Sequence, residues 1–295
     1  MREQDLRLFV CPLCRDGLTS SGEVLRSSCG TEFEIVDGIP VLISTVSSLS
    51  RRQAEWFDHE ADAEWEIERP EGSPALYSWL LHEKFRRSVE GIDLEGKTAL
   101  SICAGSGMDA EFLSKAGARV IALDISLGAI RRSLERSRRH LFHITPVVGD
   151  VAQLPFRDAA IDLVYVHDGL HHLEDPLRGL AEMTRVSRGA ICVVEPANAG
   201  MTRVAIRVGL AQQREEAGNR VARLSPSAVE DELRRHGFEI VRSERYAMFY
   251  RHTPGRIVRA LSHQWLMKVS ISAFRALNAL LGRYGNKLTV VAVRR

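Results

Sequence analysis

Residues 149–197 read GDVAQLPFRDAAIDLVYVHDGLHHLEDPLRGLAEMTRVSRGAICVVEPA and contain a strand–helix–strand unit. Apolar runs at 160–166 and 189–195 predict buried strands, and the apolar spacing over 175–187 predicts the helix between them. The same alternation is predicted upstream, with strands at 97–103, 119–124 and 145–149 and helices at 108–116 and 127–139. Strands that alternate with helices favour a parallel sheet that is covered on both faces.

The C-terminal part of the chain completes the predicted sheet. A helix near 225–236 is followed by a strand at 237–244, and the stretch NKLTVVAVRR (286–295) supplies another strand. We therefore predict an α/β fold, a Rossmann-like, mostly parallel sheet of seven strands with helices on both faces. Two segments are too long for simple loops and predict helical caps, at about 196–224 and 246–287.

The N-terminal part has a different composition. Short β-rich runs with Gly and Pro between them predict a small β-rich module at 1–46. Residues 44–52 are polar and predict a linker, and residues 53–90 predict helices that two prolines interrupt. The larger domain is therefore predicted to span 53–295.

Composition favours a reduced protein with an uneven charge. The 295 residues are 45% hydrophobic, which suffices for one large core and a small additional module. The sequence has no run of about 18 uncharged apolar residues and does not start with the apolar stretch of a secretory signal. With five cysteines, an odd number, we expect a cytoplasmic protein. Residues 196–295 hold 18 Lys and Arg against 7 Asp and Glu, so the last third carries a positive field.

The stretch SICAGSGMDA (101–110) has the glycine spacing of a phosphate-cradling turn. Gly105, Gly107 and Ala110 fit the G-x-G-x-x-G/A pattern of dinucleotide-binding proteins, and Asp124 follows at the distance expected for a ribose-binding acid. Two glycines in such a turn are a weak signal, because glycine also serves purely steric needs there. This stretch alone does not separate a dehydrogenase from other nucleotide-binding proteins.

The elements after the predicted third strand make that separation. In order, they are Asp150, LPF, an acid after an apolar residue in the fourth strand, LHH, DP, E…RV and EP. This order resembles the class I S-adenosylmethionine-dependent methyltransferases, in particular the group like the ubiquinone and menaquinone C-methyltransferases. The resemblance covers about 53–245 and the final strand, and it argues against a dehydrogenase.

The resemblance also implies where S-adenosylmethionine binds. The turn at 104–107 is expected to approach the ligand with its backbone, Asp124 to accept from both ribose hydroxyls, and Asp150 to accept from the adenine amino group. The complete set that the resemblance implies for cofactor binding is Ser101, Ala104, Gly105, Ser106, Gly107, Asp124, Ile125, Asp150, Val151 and His167.

Two residues of the turn depart from the family's pattern D-x-G-x-G-x-G. Ser101 stands in place of the acid, and Cys103 stands in place of the first glycine. Ser101 offers a hydroxyl but cannot neutralise the ammonium group of the ligand. Cys103 adds a side chain where the backbone normally passes close to the ligand. A catalytically silent, cofactor-binding partner protein is therefore an alternative hypothesis.

Candidate catalytic groups follow the predicted fourth strand, and they are His167, Asp168, His171 and His172. Ligands bind outside the carboxyl ends of strands in such sheets, so these side chains are expected to face the site. Methyl transfer requires alignment of donor and acceptor, and a base where the acceptor must lose a proton. His171 or His172 is a candidate for that base, although the family's LHH histidines often have structural roles. The acceptor implied by the resemblance is a hydrophobic small molecule that is methylated on oxygen or carbon.

The N-terminal module carries a second resemblance. CPLC (11–14), followed by SSCG and VDGIPVLI, resembles the small zinc-ribbon-like domain of tRNA methyltransferase activator proteins. This implies zinc ligation by Cys11, Cys14 and Cys29, whereas Arg26 stands at the fourth position, so a fold that persists without metal is the alternative. Similar ribbons precede some rRNA methyltransferases, which makes an RNA methyltransferase the second functional hypothesis. Residues 1–50 hold no basic cluster, so nucleic acid is not the expected partner.

The two cap segments leave several interpretations open. Glu216 and Asn219 either point into the acceptor site or mark the end of a helix. Residues 246–287 hold seven Lys and Arg and no acid, with large apolar residues at helical spacing. They form either a helical pair packed on the sheet, a lid over a hydrophobic acceptor, or a peripheral contact to an anionic membrane.

Overall fold

The structure is a computed structural model that describes residues 3–59, 62–199, 224–250 and 252–295. The strands of the described residues join in one sheet of eleven, with the order β1-β2-β3-β4-β7-β6-β5-β8-β9-β11-β10. Their bounds are β1 Leu18–Ser21, β2 Val24–Ser27, β3 Glu32–Val36, β4 Ile39–Leu42, β5 Thr98–Ile102, β6 Arg119–Asp124, β7 Ile144–Gly149, β8 Ile161–His167, β9 Ser187–Pro196, β10 Phe238–Tyr246 and β11 Lys287–Arg294.

Helices connect the strands and cover both faces of the sheet. Their bounds are α1 Glu3–Leu6, α2 Ser48–Asp58, α3 Ala63–Glu68, α4 Ala75–Val89, α5 Met108–Lys115, α6 Leu127–Arg139, α7 Pro176–Val186, α8 Pro226–Arg235, α9 Arg256–Leu261 and α10 Gln264–Leu281. Short 3₁₀ helices lie at Val151–Gln153, Leu170–His172 and Gly282–Tyr284. The predicted cap at 196–224 lies mostly outside the described residues, as do Glu216 and Asn219.

Strands β5 to β11 form the seven-stranded sheet that the sequence predicts. β7, β6, β5, β8 and β9 are parallel, whereas β11 lies antiparallel between β9 and β10. The chain runs from β5 outward to β6 and β7, and then returns to the other side of β5 for β8. Ligands bind outside the carboxyl ends of strands where the order reverses in this way. The predicted α/β, Rossmann-like fold class is confirmed, and it locates a candidate site at the ends of β5 and β8.

The N-terminal strands extend this sheet. β4 pairs in parallel with β7, with Val41 opposite Val148. The rings of Phe9 and Phe156 pack with their centroids 5.4 Å apart, which joins the N-terminal segment to the loop after β7. The β-rich residues predicted as a separate module therefore share both a sheet and an apolar core with the larger domain.

The segment predicted as a linker, 44–52, is a linker only in its first half. Helix α2 begins at Ser48, because the hydroxyl oxygen of Ser47 accepts a hydrogen bond from the backbone N–H of Ser50 at 3.1 Å. Serine is common both in loops and at the first position of helices. The polar run therefore gave no means of telling a cap from a linker.

The central strands are apolar on both sides because helices cover both sides. Every residue of β5 is buried. Leu100 and Ile102 belong to one apolar layer and Ala99 to the other, as the two-residue period of a strand requires. Polar side chains at this sheet are consequently concentrated at the strand ends, where the candidate site lies.

A fully buried arginine connects α3 to helices that cover the sheet. We call α3, α4, α9 and α10 together the cap. Arg136 in α6 places its Nε 2.7 Å from Glu111 Oε2 in α5. Its Nη1 donates to the carbonyl of Glu66 at 2.9 Å, and its Nη2 donates to the carbonyl of Arg69. These bonds fix the end of α3 on α5 and α6, and α4 follows directly in the chain.

We expect Arg136→Met to lower the free energy of unfolding by about 3 kcal/mol, the low end for a broken buried ion pair. Methionine fills a similar volume, but two carbonyls lose their donor, while Lys115 and His140 still contact Glu111. Urea denaturation followed by circular dichroism measures the change.

The matched control is Arg138→Met, because the Arg138 side chain is 73% exposed. A surface change of this kind should alter the unfolding free energy by less than about 0.5 kcal/mol. An Arg136→Met protein as stable as the control would show that this arginine does not hold the cap.

Candidate functional site

The turn after β5 contains two glycines that are needed for different reasons. Gly105 and Gly107 have φ values of 53° and 84°, which glycine adopts without strain. A Cβ on Gly107 would lie 2.3 Å from Ser133 Oγ, so glycine permits the close approach of α5 and α6. A Cβ on Gly105 would meet no atom within 4 Å. Open space therefore lies beside the backbone of this turn.

The two departures from the glycine pattern lie in different surroundings. Ser101 is buried within β5. Cys103 follows the strand with a φ of 49°, and its Sγ would lie 2.8 Å from a Cβ on Gly169. The side chain that replaces the usual glycine at 103 is thus accommodated by a glycine at 169, in the loop after β8.

Three carboxylates surround this turn, and they are Asp124, Asp150 and Glu195. Burial raises the pKa of the Cys103 thiol well above its usual range, and these carboxylates raise it further. A negative field of this kind favours a cationic ligand.

Asp124 ends β6 and is held by the turn that it faces. Its Oδ2 accepts from the backbone N–H of Gly105 at 2.9 Å, and its Oδ1 accepts from that of Ser126 at 3.0 Å. Burial raises the pKa of Asp124, and these backbone hydrogen bonds partly offset the rise. Ser126 caps α6 through its hydroxyl, which accepts from the N–H of Ala129 at 2.9 Å. Asp124 is therefore not consumed as a helix cap, and its carboxylate, which also accepts from the backbone N–H of Ile125, keeps capacity to accept from a ligand.

Asp150 follows β7 and begins a short 3₁₀ helix. Its Oδ1 accepts from the backbone N–H of Ala152 at 2.8 Å, and burial raises its pKa. Val151 beside it is buried, whereas Ile125 at the end of β6 is partly exposed. Because neighbouring strands lie about 4.8 Å apart, the ends of β7, β6, β5 and β8 extend over about 14 Å. The open space beside Gly105 lies within this row of strand ends, which we call the crevice.

Helix α2 covers part of this crevice. Asp58 Oδ1 accepts from the Ser126 hydroxyl at 2.7 Å. Arg132 in α6 donates to Ser106 Oγ at 3.1 Å and to the carbonyl of Phe57 at 2.7 Å. The end of α2 is therefore attached to two of the loops that surround the site.

The contacts of His171 and His172 fix the loop after β8. His171 is buried, and its Nδ1 lies 2.8 Å from Oε2 of the fully buried Glu195. The other oxygen of Glu195 accepts from the backbone N–H groups of Gly169 and Leu170 at 2.8 and 2.7 Å. The His172 ring stacks beside that of His171, with the centroids 4.3 Å apart. Of the two roles considered for these histidines, a structural one and that of a base, these contacts favour the structural one.

His167 and Asp168, at the end of β8, belong to a buried polar cluster. His167 Nδ1 lies 2.7 Å from Asp109 Oδ2, and its Nε2 lies 3.0 Å from Asp168 Oδ2. Lys287 Nζ at the start of β11 donates to both oxygens of Asp168, at 2.7 and 2.5 Å. Burial opposes the ionisation of Asp168, but Lys287 and His167 hold its pKa well below the usual range. Basic and carboxylate side chains therefore alternate along the cluster.

Lys84 in α4 joins this cluster from the cap. Its side chain is fully buried, and its Nζ contacts His167 Nε2 and donates to the Tyr250 hydroxyl. Burial lowers the pKa of Lys84 to about 7, although the carboxylates of Asp168 and Asp109 oppose that fall. Burial also raises the pKa of Tyr250 well above its usual range, so Tyr250 stays a neutral phenol. Lys84 is therefore an amine that loses its proton near neutral pH.

Sequence analysis did not identify Lys84, although a signal was present. Helix α4 buries Tyr77, Leu81 and Ser88, so Lys84 falls on the buried stripe of its own helix. A buried amine requires polar partners, which makes a lysine at such a position a candidate for a site. Tyr250 and Lys287 lie far away in the chain, and only the tertiary structure brings them to Lys84.

The cysteines of the N-terminal strands lie within reach of one metal ion. The sulfurs of Cys11, Cys14 and Cys29 all lie within 4.8 Å of one another. Those of Cys11 and Cys29 are 3.8 Å apart, close to the distance between two thiolates on a tetrahedral zinc ion with bonds of about 2.3 Å. Arg26 is exposed and does not contribute, but Ser27 Oγ lies 3.0 Å from Cys14 Sγ and 3.4 Å from Cys29 Sγ.

The middle of the chain is similar to known proteins. Residues 100–193 match the family described as a methyltransferase domain. The demethylmenaquinone methyltransferase of Thermobifida fusca is 40% identical over 106 residues, and that of Renibacterium salmoninarum is 37% identical over 102 residues. Each match covers 34% of this chain, and they cover 44% and 41% of the two relatives. The chain thus spans less than half the length of the curated relatives that it matches.

Solved structures share the fold at low sequence identity. Bacillus subtilis YcgJ gives a TM-score of 0.53 at 15% identity, covering 72% of this chain and 99% of that protein. A chain of the complex that contains the Haloferax volcanii Trm112 methyltransferase activator gives 0.52 at 17% identity, with coverage of 81% and 97%. Magnesium protoporphyrin IX methyltransferase from Synechocystis, with bound S-adenosylmethionine, gives 0.51 at 14% identity, with coverage of 85% and 100%.

The family match and the site geometry concern the same residues. The match runs from β5 into β9, and it includes the glycine turn, Asp124, Asp150 and the end of β8. The solved structures show the same fold around these elements. Residues 100–193 therefore match the same family of methyltransferase domains that the sequence resembles, and the solved structures share its fold.

Proposed function

We propose that this chain transfers a methyl group from S-adenosylmethionine to a hydrophobic acceptor with a phenolic ring. One observation carries the proposal: the glycine turn, Asp124, Asp150 and the cluster around Lys84 lie along one crevice of a methyltransferase domain. The names of the related proteins suggest the acceptor class, a hydroquinone such as reduced demethylmenaquinone.

The residues along the crevice fit S-adenosylmethionine. Open space beside Gly105 leaves room for a ligand against the backbone. Asp124 has lone pairs for the two ribose hydroxyls, and Asp150 can accept from the adenine amino group, with Val151 beside the ring. The negative field around Cys103 suits an ammonium and a sulfonium group. When bound, this cofactor supplies a methyl group that is already activated.

We expect Asp124→Ala to weaken the binding of S-adenosylmethionine by about 1.5–3 kcal/mol, or about 10- to 150-fold in Kd, because charge-assisted hydrogen bonds to the ribose are lost. Asp150→Ala should have a smaller effect, since a single contact to adenine is lost. Isothermal titration calorimetry measures both values.

The control for this experiment is Asp231→Ala, an aspartate of α8 whose side chain is 67% exposed. Asp124 also holds the glycine turn, so Asp124→Asn, which keeps the size and one oxygen acceptor, is measured beside it with a thermal unfolding curve. Parental affinity in Asp124→Ala would refute the assigned ribose site.

The contacts of Tyr250 support a phenolic acceptor. Its hydroxyl accepts a hydrogen bond from Lys84 Nζ, and its ring packs edge-on against that of Tyr77, with the centroids 5.9 Å apart. A hydroquinone presents the same groups, an aromatic ring and a hydroxyl. In the proposed complex the hydroxyl of the acceptor takes the place of the Tyr250 hydroxyl beside Lys84.

In this arrangement Lys84 accepts the hydroxyl proton of the acceptor. A base whose pKa lies near the working pH is efficient, and the pKa of Lys84 is about 7. The carboxylates of Asp168 and Asp109 stabilise the ammonium group that results. For methylation on carbon, the ring carbon bonds to the methyl carbon as the carbon–sulfur bond breaks. The same ring carbon then loses its proton to solvent, and the ring oxygen takes back the proton that Lys84 holds, so that one proton is released overall.

We expect Lys84→Met to lower kcat by about 100-fold or more, because general-base catalysis contributes about 10²- to 10⁴-fold. Activity of the parent should rise as the pH rises through about 7, since the deprotonated amine is the active form, and the variant should lose this rise. Transfer of a radiolabelled methyl group to reduced demethylmenaquinone is measured as a function of pH.

Two variants serve as controls for this result. Lys97→Met changes an exposed lysine and should leave the rate and the pH profile unchanged. Tyr250→Phe removes the hydroxyl that competes for Lys84 and should keep the pH dependence. Unchanged affinity for S-adenosylmethionine would show that Lys84→Met is folded, and a parental rate in that variant would exclude Lys84 as the base.

We also propose that the three cysteines of the N-terminal module hold a zinc ion. The separation of Cys11 and Cys29 sulfurs supports this, as does the position of the Ser27 hydroxyl beside the thiols of Cys14 and Cys29. Metal bound by thiolates would tie together the loops that carry the three cysteines. In this proposal zinc is structural and takes no part in methyl transfer.

We expect the purified chain to contain about one equivalent of zinc, and Cys11→Ser to lose it together with the structure of the module. Inductively coupled plasma mass spectrometry measures the metal, and limited proteolysis reports on the module. Cys192→Ser is the control, because Cys192 lies buried in the sheet, outside the cysteine cluster. Metal-free protein with an intact module would contradict the zinc proposal.

A further inference from the structure

The hairpin formed by α9 and α10 exposes an apolar face. No residue of either helix is buried. The outer face carries large apolar side chains that are between 44% and 77% exposed, and they are Ile257, Trp265, Val269, Leu277 and Leu280. The inner face packs on the cap, where the ring centroids of Phe274 and Trp79 lie 5.2 Å apart. An exposed apolar surface of several neighbouring side chains marks a contact site.

The same hairpin is uniformly cationic. Between Tyr246 and Lys287 the sequence contains no Asp or Glu. Arg256, Lys268 and Arg275 are exposed, and within the described residues no carboxylate forms an ion pair with any of them. The apolar side chains are therefore accompanied by positive charges that have no acidic partner in the described structure.

This combination of groups favours one kind of partner. A second copy of the chain would bring two cationic faces together, because neither face has an acid to offer. A nucleic acid would satisfy the cations but would leave Val269, Leu277 and Leu280 against water. An anionic lipid bilayer satisfies both, because headgroup phosphates attract the cations and the acyl boundary takes the apolar side chains. Trp265 suits the interface between the two regions.

We propose that α9 and α10 dock on the surface of an anionic lipid bilayer, with the apolar face embedded at the boundary between headgroups and acyl chains. None of the described helices combines the length and hydropathy that a membrane span requires. Helix α10 has 18 residues and is about 27 Å long, so it lies in the plane of the interface over its whole length.

The hairpin also adjoins the residues of the candidate acceptor site. The hydroxyl of Ser262, between α9 and α10, accepts from the backbone N–H of Leu76 in α4, the helix that carries Lys84, at 3.0 Å. Tyr250 precedes α9 by a few residues. Docking therefore brings the bilayer to the side of the molecule on which a lipid-soluble acceptor is needed. Delivery of an acceptor from the bilayer to Lys84 rests on the proposed function. The docking itself rests only on the apolar and cationic surface of α9 and α10.

Co-sedimentation of the full chain with vesicles tests the docking without any methyl acceptor. Vesicles of phosphatidylcholine alone are compared with vesicles that also contain phosphatidylglycerol. We expect binding to the anionic vesicles that weakens with added salt. Replacement of Trp265 and Leu280 by Gln, or of Arg256, Lys268 and Arg275 by Gln, should each weaken it by about tenfold or more.

The matched control is Leu141→Gln, because Leu141 is a 91% exposed leucine in the loop after α6, outside the hairpin. Circular dichroism and affinity for S-adenosylmethionine verify that each variant is folded.

Failure of the parent to bind anionic vesicles, or equal binding by the hairpin variants, would overturn the docking. A dimer that dissociates in the Trp265 and Leu280 variant would instead assign the face to self-association. Vesicle binding without methyl transfer would support the docking and contradict the proposed function.

Discussion

The carboxyl ends of β5 and β8 lie side by side where the strand order reverses, and the site depends on this constraint. The loops that leave the two strands must turn away from each other, and Cys103 and Asp168 both adopt positive φ values, 49° and 48°. Such values are uncommon outside glycine and are kept where the surroundings enforce them. The resulting crevice has Asp124 and Asp150 on one side and His167 on the other.

Burial of five ionisable groups at one end of this crevice is energetically demanding. Lys287 pairs with Asp168, and His167 lies between the carboxylates of Asp168 and Asp109. Lys84 is the additional cation, and burial accordingly lowers its pKa. Apolar residues of similar size are often as stabilising as such a cluster. The lowered pKa of Lys84 within this cluster agrees with the role in proton transfer that we propose for it.

Elements outside the central parallel strands complete the molecule in two places. They cover one edge of the sheet, and they add side chains to the site at the carboxyl ends of the strands. β4 pairs with β7, so the N-terminal strands cover an edge that would otherwise present unpaired backbone groups. Helix α4 brings Lys84 to the end of β8, α9 and α10 pack on α4, and Arg136 fixes the segment before α4. One cap thus supplies Lys84 from its inner side and carries the exposed cationic hairpin on its outer side.

The sequence by itself determined the seven-stranded fold, the glycine turn and the positions of Asp124 and Asp150, because each follows from a pattern within a few neighbouring residues. The tertiary structure decided the rest. It paired His171 with Glu195, placed Ser27 beside the thiols where the sequence offered no fourth ligand, and began α2 within the segment predicted as a linker. It also assembled Lys84, Asp109, Tyr250 and Lys287 around His167. These residues come from two helices, a loop and a strand that are far apart in the chain, and local periodicity carries no information about contacts between separate elements.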